Sequence, residues 1–132
     1  MNAKNDKTLL KKYPKIFAQR GLPMTQTCMC WGFDVGDGWF DILDCLCELI
    51  VGIIGDNKEA RVEAVQVKEK YGGLRFYYDT SGLPEEEANE VSGAVRLAER
   101  LSYRVCEDCG SPGKPNERGW IRTQCGACRK KS

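Results

Sequence analysis

Histidine is absent from the 132-residue sequence. Its absence excludes Ser–His and Cys–His nucleophile pairs, histidine general acid–base catalysis and the usual histidine-ligated catalytic zinc sites. Long apolar runs are also missing, because the longest uncharged apolar run, residues 49–54, is far too short to cross a bilayer. The first residues lack the apolar core of a secretory signal. We therefore expect a cytoplasmic, non-enzymatic protein without a membrane segment.

Cysteine, in contrast, is abundant, and four of the eight cysteines form two Cys-x-x-Cys pairs, Cys106/Cys109 and Cys125/Cys128. Each pair can direct two sulfur atoms at one centre, and a short hairpin between the pairs would close a tetrahedral site. A reducing cytoplasm favours metal over disulfide. The pattern predicts one structural Zn²⁺ in a C-terminal ribbon, residues 106–132. An iron site with the same ligands, a redox dithiol and two disulfides remain as alternatives.

The other four cysteines are predicted to be structural. Cys28 and Cys30 alternate with apolar residues in a segment with strand periodicity. Cys45 and Cys47 lie in a predicted helix, about 200° apart around its axis, so their side chains cannot readily share one metal. We interpret all four as small, soft residues that fill the core.

Helical periodicity is strongest in two long segments, residues 38–54 and 84–105. The second begins with a proline and three glutamates, which suit a helix N-terminus. Asp37 is the predicted N-cap of the first. A shorter helical segment over residues 5–20 is expected to break at Pro14, which lacks the N–H of an unbroken helix.

Alternating residues predict a strand or extended segment in residues 27–35 and a hairpin of two strands over residues 62–79. The hairpin turns at Tyr71-Gly72-Gly73, where the glycines would supply positive φ values. One hairpin face is apolar, with Val65 and Val67 together on the first strand, and the other is basic and aromatic.

These elements predict an α+β fold of two long helices on a short antiparallel sheet, with a C-terminal four-cysteine zinc ribbon. Residues 1–105 would form the core, and residues 106–132 a ribbon packed on it, with a second ribbon strand over residues 119–124.

Charge is distributed unevenly although the net charge is only +1. Residues 1–20 contain six Lys/Arg and one acidic residue. Residues 21–100 contain seven Lys/Arg and fifteen acidic residues, and residues 101–132 contain seven Lys/Arg and three acidic residues. The basic ends are either solvated faces or parts of a polyanion-binding surface. The candidate binding residues are Trp39, Lys68, Lys70, Arg75, Tyr77, Trp120 and Arg122. Trp39 can alternatively be a core anchor, and Arg75 and Tyr77 part of a solvated face.

Several motifs together resemble a group of small proteins common in phage and prophage genomes. They are P-K-I-F, G-F-D-V-G-D-G-W-F-D-I, V-Q-V-K-E-K-Y-G-G-L-R-F-Y-Y, C-E-D-C-G-S-P-G and G-W-I-R-T-Q-C-G-A-C, and they span about residues 13–128. The resemblance implies a phage-type accessory protein with a C-terminal zinc knuckle. It implies no catalytic activity for particular residues, and Cys28, Cys30, Cys45 and Cys47 do not belong to its pattern.

Three functions follow as hypotheses. The first is a non-catalytic protein that binds and inhibits or redirects a host component, such as a host defence protein in the manner of an anti-CRISPR. The second is a binder of nucleic acid or of a signalling nucleotide through the basic-aromatic hairpin and the ribbon. The third is an enzyme that holds magnesium with four acids of the loop and helix, which are Asp34, Asp37, Asp41 and Asp44. We favour a host protein as the partner.

Overall fold

The computed structural model describes all 132 residues and confirms the predicted α+β class with a four-cysteine C-terminal cluster. The elements in chain order are α1 (Ala3–Lys12), β1 (Phe33–Asp34), α2 (Phe40–Ile54), β2 (Arg61–Lys70), β3 (Gly73–Ser81), α3 (Glu85–Ser102), β4 (Lys114–Pro115), β5 (Thr123–Gln124) and α4 (Gly126–Lys131).

The main sheet has the strand order β1-β2-β3. The β2–β3 hairpin is antiparallel, as predicted, whereas the short β1 runs parallel to β2, so the sheet is mixed rather than purely antiparallel. Side chains of α3 cover the free edge of β3. The backbone N–H of Leu74 donates to Ser102 Oγ at 2.8 Å, and that of Phe76 donates to Glu99 Oε2 at 2.9 Å. These bonds occupy edge groups that could otherwise pair with another chain.

The predicted faces of β2 are wrong around Val65. A β-bulge lies between Ala64 and Gln66: these residues pair with consecutive residues of β3, so Val65 is an extra residue of β2 without a partner. Val62 and Ala64 are buried before the bulge, and Val67 is buried after it. The inward positions therefore change from even to odd numbers, which leaves Val65 only partly buried.

The hairpin turn differs from the prediction in which residues take positive φ. Tyr71 has φ 53° and Gly72 has φ 83°, so these two residues form the turn. Gly73 is the first residue of β3, and its lack of a side chain is required for another reason. A Cβ at this position would collide with the ring of Tyr103.

The predicted strand over residues 27–35 is mostly wrong. Its first half is a 3₁₀ turn, Cys28–Trp31, because the Thr27 hydroxyl accepts a hydrogen bond from Met29 N at 3.1 Å and caps the turn. Only Phe33–Asp34 form a strand. Trp31, which strict alternation would place with the buried residues, is 68 % exposed.

The N-terminal segment breaks near Pro14, as predicted. Helix α1 ends at Lys12, but the second part is a 3₁₀ turn, Ala18–Gly21, rather than a second α-helix. Ile16 and Phe17 between them are buried and contribute to the core.

The two long helices are confirmed with shifted ends. A 3₁₀ turn, Asp37–Trp39, precedes α2, and Asp37 does not cap it, since no side chain caps this helix. Helix α3 ends at Ser102, three residues before the predicted end, and so does not run directly into the cysteines. One core joins both helices, α1 and the sheet, and its fully buried members include Leu9, Met29, Trp39, Leu43, Ile50, Val67, Leu74 and Val91.

Candidate metal centre and binding surfaces

The sulfur atoms of Cys106, Cys109, Cys125 and Cys128 all lie within 4.8 Å of one another, and those of Cys109 and Cys125 are 3.7 Å apart. Four thiolates around a tetrahedral zinc, with Zn–S distances of about 2.3 Å, would be separated by about 3.8 Å. The four cysteines are therefore positioned to hold a metal ion, and the cluster would contract slightly around it, because its widest sulfur separation exceeds the tetrahedral value.

Two different local structures present the cysteine pairs. In the first pair the chain turns tightly, with Gly110 at φ 83° and its N–H donating to Cys106 O at 2.9 Å. In the second pair Cys125 is the N-cap of α4, and its sulfur accepts a hydrogen bond from Cys128 N at 3.4 Å. Helix α4 was not predicted from the sequence. The predicted ribbon strand over residues 119–124 is reduced to Thr123–Gln124.

The thiols of the cluster differ in acidity. Hydrogen bonds from the side chain and backbone of Ser111 lower the pKa of Cys109 to about 6. Hydrogen bonds with Cys125 and then with Cys109 raise the pKa of Cys128 to about 12. Cys109 is thus the first of these two thiols to ionise, and a bound cation would favour the thiolate form of the others.

The G-D-G-W loop packs directly against the first cysteine pair. Gly38 N donates to Glu107 O at 2.7 Å, and Gly36 N donates to the Glu107 carboxylate at 3.0 Å. A Cβ on Gly36 would collide with the carbonyl oxygen of Glu107, and one on Gly38 with that of Cys106. Burial raises the pKa of the Glu107 carboxyl, against the lowering effect of the Gly36 hydrogen bond. The glycines of this motif therefore allow close contact between the loop and the ribbon.

Trp39 is a core residue and not an accessible ligand-binding residue. Its side chain is 0 % exposed, and its indole Nε1 donates to Val105 O at 2.9 Å, next to the first metal-site cysteine. The proposal of Trp39 as a binding residue is therefore wrong. A buried tryptophan needs a partner for its N–H, and here that partner belongs to the chain just before the ribbon.

The other six candidate binding residues lie in four different environments. Lys68, Lys70 and Trp120 line one recess of about 460 Å³ at the tip of the hairpin, and Trp120 is 81 % exposed. Tyr77, 41 % exposed, lines a separate depression further along β3. The structure therefore does not form the single basic-aromatic surface that the sequence predicted.

The two arginines of that set have protein partners. Arg122 forms an ion pair with Asp108, 2.8 Å between Nη2 and Oδ1, beside the cysteine cluster. Arg75 donates to Leu74 O at 3.0 Å and to the Tyr103 hydroxyl at 3.2 Å. The guanidinium of Arg75 is thereby held against Tyr103, which follows α3, although Lys68 lies opposite Arg75 in the β2–β3 register.

The second set of cysteines forms no metal cluster, and its interpretation as core filler holds only in part. Cys47 is fully buried, and burial raises the pKa of its thiol well above the ordinary range. Cys28 and Cys45 are exposed, and Cys30 is partly exposed. The prediction that all four fill the core is wrong for these three.

The four aspartates considered as magnesium ligands do not form a cluster with one another. Asp37 instead accepts hydrogen bonds from the start of α1, and Asp44 accepts them from Lys12 and Tyr13. Both carboxylates therefore form hydrogen bonds that connect the α2 region to the N-terminal segment.

An apolar groove with a volume of about 320 Å³ lies between α2 and α3 and was not predicted from the sequence. It is lined by Ile42, Cys45, Leu46, Leu49, Ala94, Leu97, Ala98, Leu101 and Val105, with Gly38, Asp41 and Gly110 at its borders. Leu49 and Leu101 belong to the stripes of apolar residues that recur at helical spacing in the two long helices, yet they are 51 % and 43 % exposed. Only Leu97, which lies outside those stripes and is 67 % exposed, could have signalled this surface.

None of the helices combines the length and the apolar character that a membrane-spanning helix requires. The sequence matches no protein-family model, and comparisons with curated proteins and with solved structures find no similar protein. The geometry of the cluster, the groove and the charged recesses is therefore the basis for any statement about function.

Proposed function

We propose that this chain is a non-catalytic, phage-type accessory protein that binds a host protein in the groove between α2 and α3. The observation that carries the proposal is the groove itself. Nine of its twelve lining residues are hydrophobic. Leu49, Leu97 and Leu101 leave much of their surface open to solvent there. Contiguous exposed apolar surface of this kind is typical of a site for a protein partner.

Charge around the groove indicates the chemistry of the partner. Helix α2 carries Asp41, Asp44 and Glu48 and no basic residue. Helix α3 carries five glutamates, and its two arginines, Arg96 and Arg100, line a different recess. Of these acids only Asp41 lines the groove. An apolar groove with an acidic residue at its border complements an amphipathic segment with Leu, Ile or Phe anchors and a flanking Lys or Arg.

We further propose that the partner is a component of a host defence system, which the chain inhibits or redirects by occupying that component's amphipathic segment. The resemblance of its motifs to small phage proteins supports a host target. The cysteine cluster supports a structural role for the metal, since Val105 and Gly110 border the groove and the metal would fix the chain between them.

The groove is tested with tagged protein captured from host lysate, using a groove variant and a matched surface variant. Leu97→Asp places a charge in the groove, whereas Met24→Asp makes the same change at a side chain that is 66 % exposed and outside it. Burial of one leucine contributes about 1.5–3 kcal/mol, so we expect Leu97→Asp to weaken binding at least about tenfold. A partner that is enriched equally by the wild type, Leu97→Asp and Met24→Asp would contradict binding through the groove.

Zinc is the metal we propose, because four thiolates in tetrahedral arrangement are the donor set of structural zinc sites. Metal analysis of the purified protein should find one zinc per chain. Cys128→Ser should lose the metal, whereas Cys45→Ser, the same change at an exposed cysteine outside the cluster, should retain it. Iron in the purified protein, or two metals per chain, would contradict the assignment.

A second candidate function is binding of nucleic acid, supported by the recess at the hairpin tip. Lys68 and Lys70 could contact phosphates there while Trp120 stacks on a base. Binding of single-stranded DNA should then weaken steeply with salt. Trp120→Ala should weaken it, whereas Trp31→Ala, at another exposed tryptophan, should not. DNA binding that is unaffected by Trp120→Ala would contradict this role for the recess.

A further inference from the structure

A recess of about 340 Å³ at the free edge of β3 is lined by Arg75, Arg96, Glu99, Arg100 and Tyr103, and we call it the arginine recess. Arg96 and Arg100 are four residues apart on α3 and therefore lie on the same side of the helix. Arg75 reaches the recess from β3. Three guanidinium groups from two elements thus surround one space in a region of the chain that is otherwise acidic.

The protein itself leaves most of this positive charge uncompensated. Arg96 and Arg100 take part in no ion pair and in no side-chain hydrogen bond. Arg75 has only neutral acceptors, the carbonyl oxygen of Leu74 and the hydroxyl of Tyr103. Glu99 is the single acid of the recess, and its Oε2 already accepts a hydrogen bond from Phe76 N. The recess therefore has an excess of about two positive charges.

The hydrogen-bonding groups of the recess are mostly donors. Tyr103 accepts from Arg75, which leaves its own O–H free to donate. Each of Arg96 and Arg100 has five N–H donors in a planar fork that can bind two oxygens of one anion. The bonds of Arg75 to Leu74 O and Tyr103 hold its guanidinium in place before any ligand arrives. Such a site is preorganised for an oxyanion with several acceptor oxygens.

We infer that the arginine recess binds the phosphate group of a small phosphate monoester. A phosphate monoester carries a charge of about −1.5 to −2 near pH 7 and three acceptor oxygens, which match the excess charge and the surrounding donors. Arg75 and Tyr77 lie two positions apart on β3 and so project to the same face. Tyr77, 41 % exposed, lines the neighbouring depression on that face rather than the recess itself, so an organic group that extends from the recess along β3, such as the nucleoside of a nucleoside monophosphate, can reach its ring. This site is separate from the groove, so the inference does not rest on the proposed protein partner.

Calorimetric titration of the metal-loaded protein with AMP tests the inference, with adenosine as the phosphate-free comparison. We expect saturable binding of AMP and none of adenosine at the same concentrations. Arg96→Gln and Arg100→Gln should each weaken AMP binding about tenfold or more, since each removes a charged hydrogen bond. Arg118→Gln makes the same change at an exposed arginine outside the recess and should leave AMP binding unchanged.

Because Arg96 and Arg100 are exposed and unpartnered, their variants should melt at the wild-type temperature, which separates loss of binding from loss of fold. Inorganic phosphate in place of AMP isolates the contribution of the phosphate group, and we expect it to compete with AMP. Failure of AMP to bind at millimolar concentration would overturn the inference. So would equal binding of adenosine and AMP, or AMP binding that survives both arginine substitutions.

Discussion

At the scale of single residues, the glycines of the G-D-G loop are required by contact rather than by backbone conformation. Neither Gly36 nor Gly38 has a positive φ, yet a Cβ on either would collide with a carbonyl oxygen of the ribbon. Backbone atoms on both sides of such a contact cannot move apart without breaking the hydrogen bond between Gly38 N and Glu107 O.

We therefore predict that Gly38→Ala lowers the free energy of unfolding by about 2–3 kcal/mol, near the upper end of the usual range for one substitution. Gly93→Ala is the matched control, because Gly93 lies inside α3 with open space around its would-be Cβ. It should raise stability by roughly 0.5–1 kcal/mol through helix propensity. Urea unfolding of both variants provides the measurement, and wild-type stability of Gly38→Ala would contradict the close contact.

The carboxylate of Asp37 joins the loop before α2 to the start of α1. Its carboxylate accepts hydrogen bonds from Asn2 N at 2.8 Å and from Asn5 Nδ2 at 3.1 Å. The bond from the Asn2 backbone is the main cause that lowers its pKa below the ordinary value of 3.8. A carboxyl with a lowered folded-state pKa stabilises the protein above its unfolded pKa, and this contribution is lost as pH falls through the folded value.

Asp37→Asn should consequently be less stable than the wild type at pH 7, by on the order of 1 kcal/mol. The difference between the two proteins should shrink as the pH falls from about 4 downward, because the wild-type carboxyl then becomes protonated. Asp79→Asn, the same change at an exposed acid without a side-chain hydrogen bond, is the matched control and should leave stability close to that of the wild type. Thermal melts across this pH range provide the measurement. A difference in melting temperature between the wild type and Asp37→Asn that stays constant with pH would contradict a role for the charge.

At the scale of elements, the sequence predicted the long helices and the hairpin because each has a strong local period. The bulge at Val65 could not be predicted, since the residues around it include neither glycine nor proline and only the pairing with β3 reveals it. The 3₁₀ turn after Thr27 was also missed. There a side-chain hydrogen bond overrides a convincing alternation of apolar residues.

The free edge of β3 is held by a side chain of α3, an interaction that secondary-structure propensity does not reveal. Ser102 accepts from Leu74 N through its hydroxyl, and both residues are buried. Ser102→Ala leaves that N–H without a partner and should cost about 1–3 kcal/mol. Ser92→Ala, the same change at an exposed position of α3, should be neutral or slightly stabilising. Hydrogen exchange at the Leu74 amide should accelerate only in Ser102→Ala, and unchanged exchange would show that the edge is protected in another way.

At the scale of the whole molecule, the sequence located the metal ligands but not the way the ribbon joins the core. The spacing of the cysteines is local information, whereas the contacts of Glu107 with Gly36 and Gly38 join residues about seventy positions apart. The Thr123 hydroxyl adds a bond to Gly72 O at 2.6 Å, so the ribbon also contacts the hairpin turn. The predicted boundary after residue 105 therefore separates two parts of the chain that several hydrogen bonds join.

Removal of the metal should for this reason disturb the core as well as the ribbon. Without an ion, thiolate repulsion and chain entropy favour opening of the cysteine turns, and the chain at Val105 and Glu107 loses its anchor. Trp39 bonds to Val105 O, so its indole N–H should report the change. We expect a chelator at pH 7.5 to shift the Trp39 indole NMR signal, accelerate its hydrogen exchange and lower the melting temperature in a single transition.

Trp31 and Trp120 are internal controls in that experiment, because both are exposed and neither indole has a hydrogen-bond partner in the fold. Their N–H groups should exchange rapidly with or without metal. Cys109→Ser should reproduce the effect of the chelator, whereas Cys45→Ser should not. If the Trp39 signal and the α2 amides stayed unchanged while the ribbon signals collapsed, the ribbon would be a separate folding unit that merely packs against residues 1–105.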